Sequence, residues 1–214
     1  MNLHASLLPD YRGAAPINWA VINGEQRTGV TTFMINGRID TGDILLREVV
    51  EIGPEENAGA LHDRLMSIGA DLLVRTAKDI LDGTVESIPQ AQFAGDRVHD
   101  APKLTPLSSR IDWDLSAQRV HDHIRGLSPY PGAWTTWKEE GHDDRQFKIL
   151  AARRAPASTE KSRPGQVTLV DDRLLIGCSN GPIEALEVQM QGKRPMSAEA
   201  FLRGLHNRTG IHVA

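Results

Sequence analysis

After Met1, the chain begins with Asn2-Leu3-His4-Ala5-Ser6-Leu7-Leu8-Pro9-Asp10-Tyr11-Arg12-Gly13, and Ile39-Asp40-Thr41-Gly42-Asp43 follows later. Within these stretches, Asn2, His4 and Asp40 supply an amide, an imidazole and a carboxylate. An amide and a protonated imidazole can both donate hydrogen bonds to the oxyanion that forms during acyl transfer. A carboxylate can hold the imidazole in place and stabilise its charged form. The sequence therefore predicts a site for acyl-transfer chemistry, with these three side chains as its catalytic residues.

Patterning in the first hundred residues predicts the second half of an α/β domain. Asn2-Leu3-His4 has the character of a strand end, and Pro16 suits the first turn of a helix. Residues 29–34 and 44–50 are rich in β-branched and aliphatic side chains, which is typical of strands. Asp40 falls between them, so we expect it on a loop, where functional side chains are commonly displayed.

A long helical pattern runs from Glu56 to about Asp82, and Gly69 within it predicts a break. No Gly-x-Gly-x-x-Gly follows an opening strand, and two or three strands with two helices cannot complete a doubly wound domain. We therefore expect residues 1–97 to be the C-terminal part of an α/β, doubly wound domain.

Composition places the chain among soluble proteins that remain inside the cell. The 214 residues are 40% hydrophobic, with no long apolar run and no signal-like start, so we expect a cytoplasmic protein without a membrane segment. Cys178, the single cysteine, is predicted to be a small buried hydrophobe. Residues 1–100 carry 8 Lys and Arg against 15 Asp and Glu, whereas residues 101–214 carry 16 against 13. The mildly basic second half is compatible with a polyanionic partner.

The second half changes to short elements after a region rich in Pro and Ser. Residues 98–127 are predicted to be a linker followed by a helix that Ser116 caps. His121 and His123 on that helix point in different directions, which argues against a metal pair, and we expect both to be solvated. Residues 128–214 contain five short extended segments, with Asp171-Asp172 as a turn between two of them and a short helix from Ser197 to Gly204. Such a pattern predicts a small β-barrel.

The motifs at both ends of the sequence resemble the folate-dependent formyltransferases. The Asn2-x-His4 pair, the Ser6-Leu7-Leu8-Pro9 loop and Asp40 match the first part of that family's pattern. Further stretches are similar to the linker and OB-like barrel of the branch that acts on initiator tRNA: Lys103-Leu104-Thr105, Arg110-Ile111-Asp112-Trp113, Ile124-Arg125-Gly126, Pro129-Tyr130-Pro131-Gly132-Ala133-Trp134 and Gly192-Lys193-Arg194-Pro195-Met196-Ser197-Ala198-Glu199.

This resemblance implies formyl transfer from 10-formyltetrahydrofolate to the free amine of initiator methionyl-tRNA, in translation initiation. It assigns the folate wall to Ser6, Leu7, Leu8 and Pro9, and it implies no metal. It makes residues 1–97 part of the catalytic domain and residues 128–214 an OB-like, tRNA-binding domain. The basic candidates for tRNA phosphates are Lys103, Arg110, Arg125, Lys193 and Arg194.

Three other possibilities stay open, and one of them is that the chain is the inert product of a pseudogene. A sugar-nucleotide N-formyltransferase would use the same Asn2, His4 and Asp40 chemistry on another amine, and a non-enzymatic RNA-binding fragment would use only the barrel. The family has an N-terminal part without a counterpart in this sequence, so we expect the 214 residues to be inactive alone. We also expect the protein to be a monomer.

Overall fold

The computed structural model describes residues 1–95, 98–155, 163–205 and 210–214. They form two compact units, Met1–Leu104 and Thr105–Ala214. Residues 98–104 lie in the first unit because the strand Asp100–Ala101 pairs in parallel with Arg12–Gly13. The start of the segment predicted as a linker is therefore part of the first unit.

The first unit is a small α/β arrangement. Its strands are β1 (Asn2–His4), β2 (Arg12–Gly13), β3 (Arg27–Phe33), β4 (Ile44–Glu51) and β5 (Asp100–Ala101), and its helices are α1 (Pro16–Ile22) and α2 (Ala58–Leu81). The main sheet has the order β1-β3-β4, and both neighbouring pairs are antiparallel. The expected doubly wound arrangement, which is mostly parallel, is wrong for these three strands. The ten residues 34–43 join β3 to β4, which is shorter than the connection of about a dozen or more residues that a parallel neighbour needs, so these two strands pair antiparallel.

Helix α2 covers this sheet and is unbroken. The Asn57 side chain caps its first turn by accepting a hydrogen bond from the Ala60 N–H at 2.8 Å. Its apolar side chains pack into one core with residues of β3 and β4: Leu61, Leu65, Leu72, Val30 and Val50. The break predicted at Gly69 is wrong. A Cβ atom at that position would lie 2.8 Å from the Leu3 side chain, so glycine lets the helix pass close to β1.

The second unit is built around one large antiparallel sheet. Its helices are α3 (Ala117–Gly126) and α4 (Ala198–Arg203), and its strands are β6 (Ala133–Glu139), β7 (Arg145–Arg154), β8 (Val167–Val170), β9 (Arg173–Cys178), β10 (Gly181–Met190), β11 (Met196–Ser197) and β12 (Ile211–Val213). The sheet order is β12-β6-β7-β10-β9-β8, with β11 beside β10. A bridge between Gln166, before β8, and His212, in β12, brings the two edges together. The sheet is therefore a nearly closed barrel, as the strand pattern predicted in outline.

Aromatic side chains fill part of the barrel core. Trp137 and Phe147 are fully buried, and their ring centres lie 4.8 Å apart. Phe201 of α4 meets the Trp137 ring edge-on at 5.3 Å. The predicted Asp171-Asp172 turn is confirmed, because both residues adopt positive φ angles, 49° and 58°, between β8 and β9.

Buried polar side chains distinguish α3. Ser116 caps the helix as predicted and accepts from the Arg119 N–H. His121 is buried rather than solvated, and the Nε2 atom of His123 is also buried. The expectation of two solvated histidines is wrong because α3 lies against β7 and β10. Burial lowers the pKa of His123, which favours its neutral form.

Cys178 tests one further sequence prediction. Cys178 is buried, and its burial raises the pKa of the thiol to about 12, as suits a structural hydrophobe. No helix in the described ranges combines the length and the hydropathy that a membrane crossing would need.

Candidate functional site

His4 lies at the end of β1, almost buried at 7% exposure. Its Nε2 atom is 2.8 Å from the Tyr11 carbonyl oxygen, and its Nδ1 atom is 3.6 Å from Oδ2 of Asp40. Both ring nitrogens thus face acceptor oxygens. The Nε2 contact is a hydrogen bond, whereas the Nδ1 contact is longer than a hydrogen bond and has the distance of an ion pair between a protonated ring and the carboxylate. The structure brings together two of the three predicted catalytic residues.

Asp40 reaches His4 from the loop between β3 and β4, as predicted. Its Oδ2 atom also accepts a hydrogen bond from the Gly13 N–H at 3.1 Å. The residue has a φ angle of 50°. This angle lies in the left-handed region, which residues with a Cβ atom adopt at a cost in conformational energy. Gly42 follows, where a Cβ atom would overlap the Met34 carbonyl oxygen. The loop therefore needs a glycine, and this backbone holds the carboxylate next to the imidazole.

Tyr11 fixes the acceptor for His4. Its φ angle is 59°, and its ring stacks on His99 with centres 5.3 Å apart. The phenol donates to Glu25 at 2.7 Å and accepts from the Asn23 amide at 3.1 Å. Burial and the bond to Glu25 raise the pKa of Tyr11 well above its ordinary value, so the phenol stays protonated and keeps donating. These bonds hold an unfavourable backbone conformation in place.

Asn2 lies on the same strand face as His4, because alternate residues of a strand share a face. Its side chain is exposed, and its Oδ1 atom accepts from the Leu3 N–H at 2.9 Å. With the carbonyl oxygen engaged, the group that Asn2 can offer to a substrate is its NH₂. The structure places this donor in solvent rather than in contact with the His4–Asp40 pair.

The Ser6–Pro9 loop is mostly internal. Ser6 and Leu8 are fully buried; the Ser6 hydroxyl donates to the Asp10 carbonyl at 2.5 Å, and Leu8 joins Phe33 and Ile44 in a small apolar cluster. Pro9 is buried as well, whereas Leu7 is only half-buried. Of the four predicted folate-wall side chains, Leu7 is the one with surface left for a flat ring.

The predicted phosphate-binding residues fall into two groups. Lys103, Arg110, Lys193 and Arg194 are exposed, and the Arg110 guanidinium lies 5.6 Å from the centre of the Trp134 ring. Arg125 is buried at 8% exposure, where its Nε atom donates to Asp122 at 2.8 Å. A buried guanidinium that is already paired is poorly placed to bind a phosphate, so its position indicates a structural role.

Sequence reasoning missed Gln90 and His99. Gln90 donates from Nε2 to the Asp40 carbonyl oxygen at 2.9 Å, and His99 accompanies Tyr11 through the stacking described above. Both residues are far from His4 in the sequence, and neither belongs to a motif. Only the fold, through pairing of β2 with β5 and of Ile44 with Ile88, brings their segments to the site.

Family models match both parts of the chain. The formyl transferase model covers residues 1–77, and the formyl transferase C-terminal domain model covers residues 103–206. The chain belongs to the formyl transferase family. A curated family member from Chlorobium phaeovibrioides, named methionyl-tRNA formyltransferase, is 45% identical over 212 residues, or 98% of this chain. The chain spans 64% of that relative's length, which is less than two thirds.

Solved structures share the fold at lower identity. HypX from Aquifex aeolicus, crystallised in complex with tetrahydrofolic acid, is similar over 94% of this chain and 34% of its own, with a TM-score of 0.67 and 19% identity. An N-formyltransferase from Helicobacter canadensis, in complex with folinic acid and dTDP-3-aminofucose, matches over 86% of this chain and 64% of its own, with a TM-score of 0.67 and 20% identity.

Among the described residues, no group of three or more His, Cys, Asp or Glu side chains could hold a metal ion.

Proposed function

We propose that this chain carries the reacting groups for formyl transfer from 10-formyltetrahydrofolate to the amine of initiator methionyl-tRNA. The observation that supports this most is the His4 ring held between the Tyr11 carbonyl oxygen and the Asp40 carboxylate. It stands in a chain that is 45% identical to a relative named methionyl-tRNA formyltransferase. A positioned imidazole with a carboxylate partner is suited to acyl transfer.

In this mechanism the amine nitrogen attacks the formyl carbon, and negative charge develops on the formyl oxygen. Asn2 NH₂ and the protonated His4 ring donate hydrogen bonds to that oxygen. For His4 to do so, its Nε2 atom must exchange the hydrogen bond to the Tyr11 carbonyl oxygen for one to substrate, or its Nδ1 atom must turn from the nearby Asp40 carboxylate to substrate. Asp40 accepts the proton of the amine through water, and the bond from carbon to the folate nitrogen breaks as that nitrogen takes up a proton. Loss of one oxyanion donor costs about 10²–10³ in kcat.

The folate site is proposed beside the Ser6–Pro9 loop. Leu7 supplies an apolar contact for the flat ring, because it is the half-buried member of the loop. Leu8 supports the loop from the core, together with Phe33 and Ile44. The Arg47 Nη1 atom donates to the Leu8 carbonyl oxygen at 3.1 Å, which holds the backbone of the loop from the other side.

The tRNA partner is proposed to contact the exposed basic side chains of Lys103, Arg110, Lys193 and Arg194. Phosphate contacts of this kind position an RNA without reading its sequence. We place Arg125 outside this group, because its buried pair with Asp122 would have to break before it could contact a phosphate.

A second candidate function is formyl transfer to an amino-sugar nucleotide, because the chain is similar in fold to the Helicobacter canadensis enzyme. The two functions differ in the amine that accepts the formyl group. The decisive assay offers 10-formyltetrahydrofolate with either methionyl-tRNA or dTDP-3-aminofucose. It uses the 214-residue chain and a chimaera that adds the part of the Chlorobium phaeovibrioides relative that the chain does not match. We expect the chimaera to formylate methionyl-tRNA and not tRNA whose amine is acetylated. Formylation of the sugar nucleotide alone would support the other function instead.

A further inference from the structure

Gln90 lies in a short 3₁₀ turn, Gln90–Phe93, that the fold fastens next to the Asp40 loop. Just before the turn, Ile88 and Ile44 exchange two backbone hydrogen bonds, at 2.9 Å and 2.8 Å. Ile44 is the first residue of β4 and follows the Asp40 loop directly. The pairing therefore places the Gln90 side chain under that loop, where it is 5% exposed.

The Gln90 amide is used on both of its ends. Its Nε2 atom donates to the Asp40 carbonyl oxygen at 2.9 Å and to the Gly42 carbonyl oxygen at 2.8 Å. Its Oε1 atom accepts from the Arg12 Nε and Nη2 atoms at 3.1 Å and 2.6 Å. One side chain thus joins the Asp40 loop to the residue between Tyr11 and Gly13.

These two joined segments hold the His4–Asp40 pair from both sides. Tyr11 gives its carbonyl oxygen to the His4 ring, and the Gly13 N–H donates to the Asp40 carboxylate. Asp40 itself has a φ angle of 50°, a conformation that persists only where the surrounding structure determines it. Gln90 bonds to the Asp40 backbone at this point.

We propose that Gln90 is a positioning residue, which holds the Asp40 backbone so that its carboxylate faces His4 and Gly13. The relevance of Gln90 to catalysis rests on the proposed function, whereas the geometry that it imposes does not. Buried amides with all their partners satisfied favour a single arrangement of the groups they join. Loss of the NH₂ donors should let the Asp40 loop relax and move the carboxylate away from the imidazole.

Gln90→Glu separates this role from simple anchoring of Arg12. A glutamate keeps the size of the side chain and gains an ion pair with Arg12, but it cannot donate to the Asp40 and Gly42 carbonyl oxygens. If Gln90 served only to anchor Arg12, the substitution would be neutral or favourable. Gln92→Glu is the matched control, because Gln92 is exposed in the same turn. Gln90→Met removes the same donors with a side chain of similar volume and no charge. An effect that Gln90→Glu and Gln90→Met share therefore does not come from the buried charge of the glutamate.

The test is made on the 214-residue chain by NMR, with the His4 ring nitrogens and the Gly13 amide as reporters. For Gln90→Glu and Gln90→Met we expect the Gly13 amide to exchange about ten-fold faster, as suits the loss of one hydrogen bond. We also expect the His4 Nδ1 signal to move, whereas Gln92→Glu should change neither. Thermal unfolding of each variant shows whether the chain is still folded.

A folded Gln90→Glu or Gln90→Met protein with wild-type His4 and Gly13 signals would overturn the proposal. In the chimaera, the same variants should lower kcat by about ten-fold or more, while KM for the folate stays near wild type, because a misplaced group costs rate rather than binding. Altered NMR signals without formyl transfer by the wild-type chimaera would contradict the proposed function and leave the positioning role supported.

Discussion

The two units of this protein hold their important side chains by different means. In the first unit, the His4–Asp40 pair depends on loops, with Tyr11 and Asp40 both at positive φ angles and polar bonds that join distant segments. In the second unit, Trp137, Phe147 and Phe201 pack together inside a sheet whose strands are paired along their length. The His4–Asp40 pair keeps its geometry by hydrogen bonds between loops, and the aromatic core of the barrel keeps its geometry by apolar packing.

This difference predicts two kinds of sensitivity. Apolar cores respond to lost volume through the free energy of unfolding, whereas a site that loops hold can lose its geometry with little change in stability. Substitutions in the barrel should therefore change stability most, and substitutions around His4 should change chemistry most.

The largest change in stability is expected from Trp137→Ala. The ring is fully buried, so its removal should cost about 3–5 kcal/mol of the free energy of unfolding of the second unit. Urea unfolding followed by the NMR signals of β6 and β7 would measure it. The Gly13 amide signal in the first unit should stay unchanged, and its loss together with the barrel signals would contradict the contrast between the units.

A smaller loss of stability is expected from Leu8→Ala. Leu7→Ala is the matched control in the same loop. Leu8 is fully buried, so its truncation should destabilise the first unit by about 2–5 kcal/mol. Leu7 is half-buried, and its truncation should cost less stability but more affinity for folinic acid, measured by calorimetry on the chimaera. Equal losses of stability for the two variants would show that Leu7 is a core residue and not a ligand contact.

The smallest change in the free energy of unfolding is expected from reversing two surface charges. Lys193→Glu with Arg194→Glu should leave stability unchanged but lower the dependence of tRNA binding on salt, by about 2 in the slope of log K against log salt. Arg154→Glu with Arg203→Glu makes the same change of charge at other exposed positions of the second unit. If this control pair weakened binding equally, net charge rather than a defined surface would attract the tRNA.

Local signals in the sequence predicted much of this structure. The helix cap at Ser116 and the turn at Asp171-Asp172 could be predicted, because a cap and a turn depend on the types of the residues that form them. The motif around His4 likewise predicted the imidazole–carboxylate pair. Strand direction in the first unit did not follow from any segment by itself, since period and composition do not specify which strands will be neighbours or how they run.

Residues whose surroundings come from distant segments were predicted least well. Arg125 has the composition of a phosphate ligand but lies buried beside Asp122, and His121 is buried although its helix is strongly polar. Gln90 belongs to no sequence motif, and its proposed role rests on the hydrogen bonds that it donates to two carbonyl oxygens of the Asp40 loop. Backbone acceptors leave no trace in the residue types, so no pattern could have indicated this contact.

We propose that His4 acts on the charge that develops during formyl transfer, and the His4→Ala substitution is the sharpest test of this role. The measurement is kcat for formylation of methionyl-tRNA by the chimaera, with His62→Ala as control, because the His62 side chain is 60% exposed on α2. Circular dichroism should show that both variants are folded. We predict that kcat falls by about 10² or more for His4→Ala and stays at the wild-type value for His62→Ala. A folded His4→Ala chimaera with near wild-type turnover would contradict the claim.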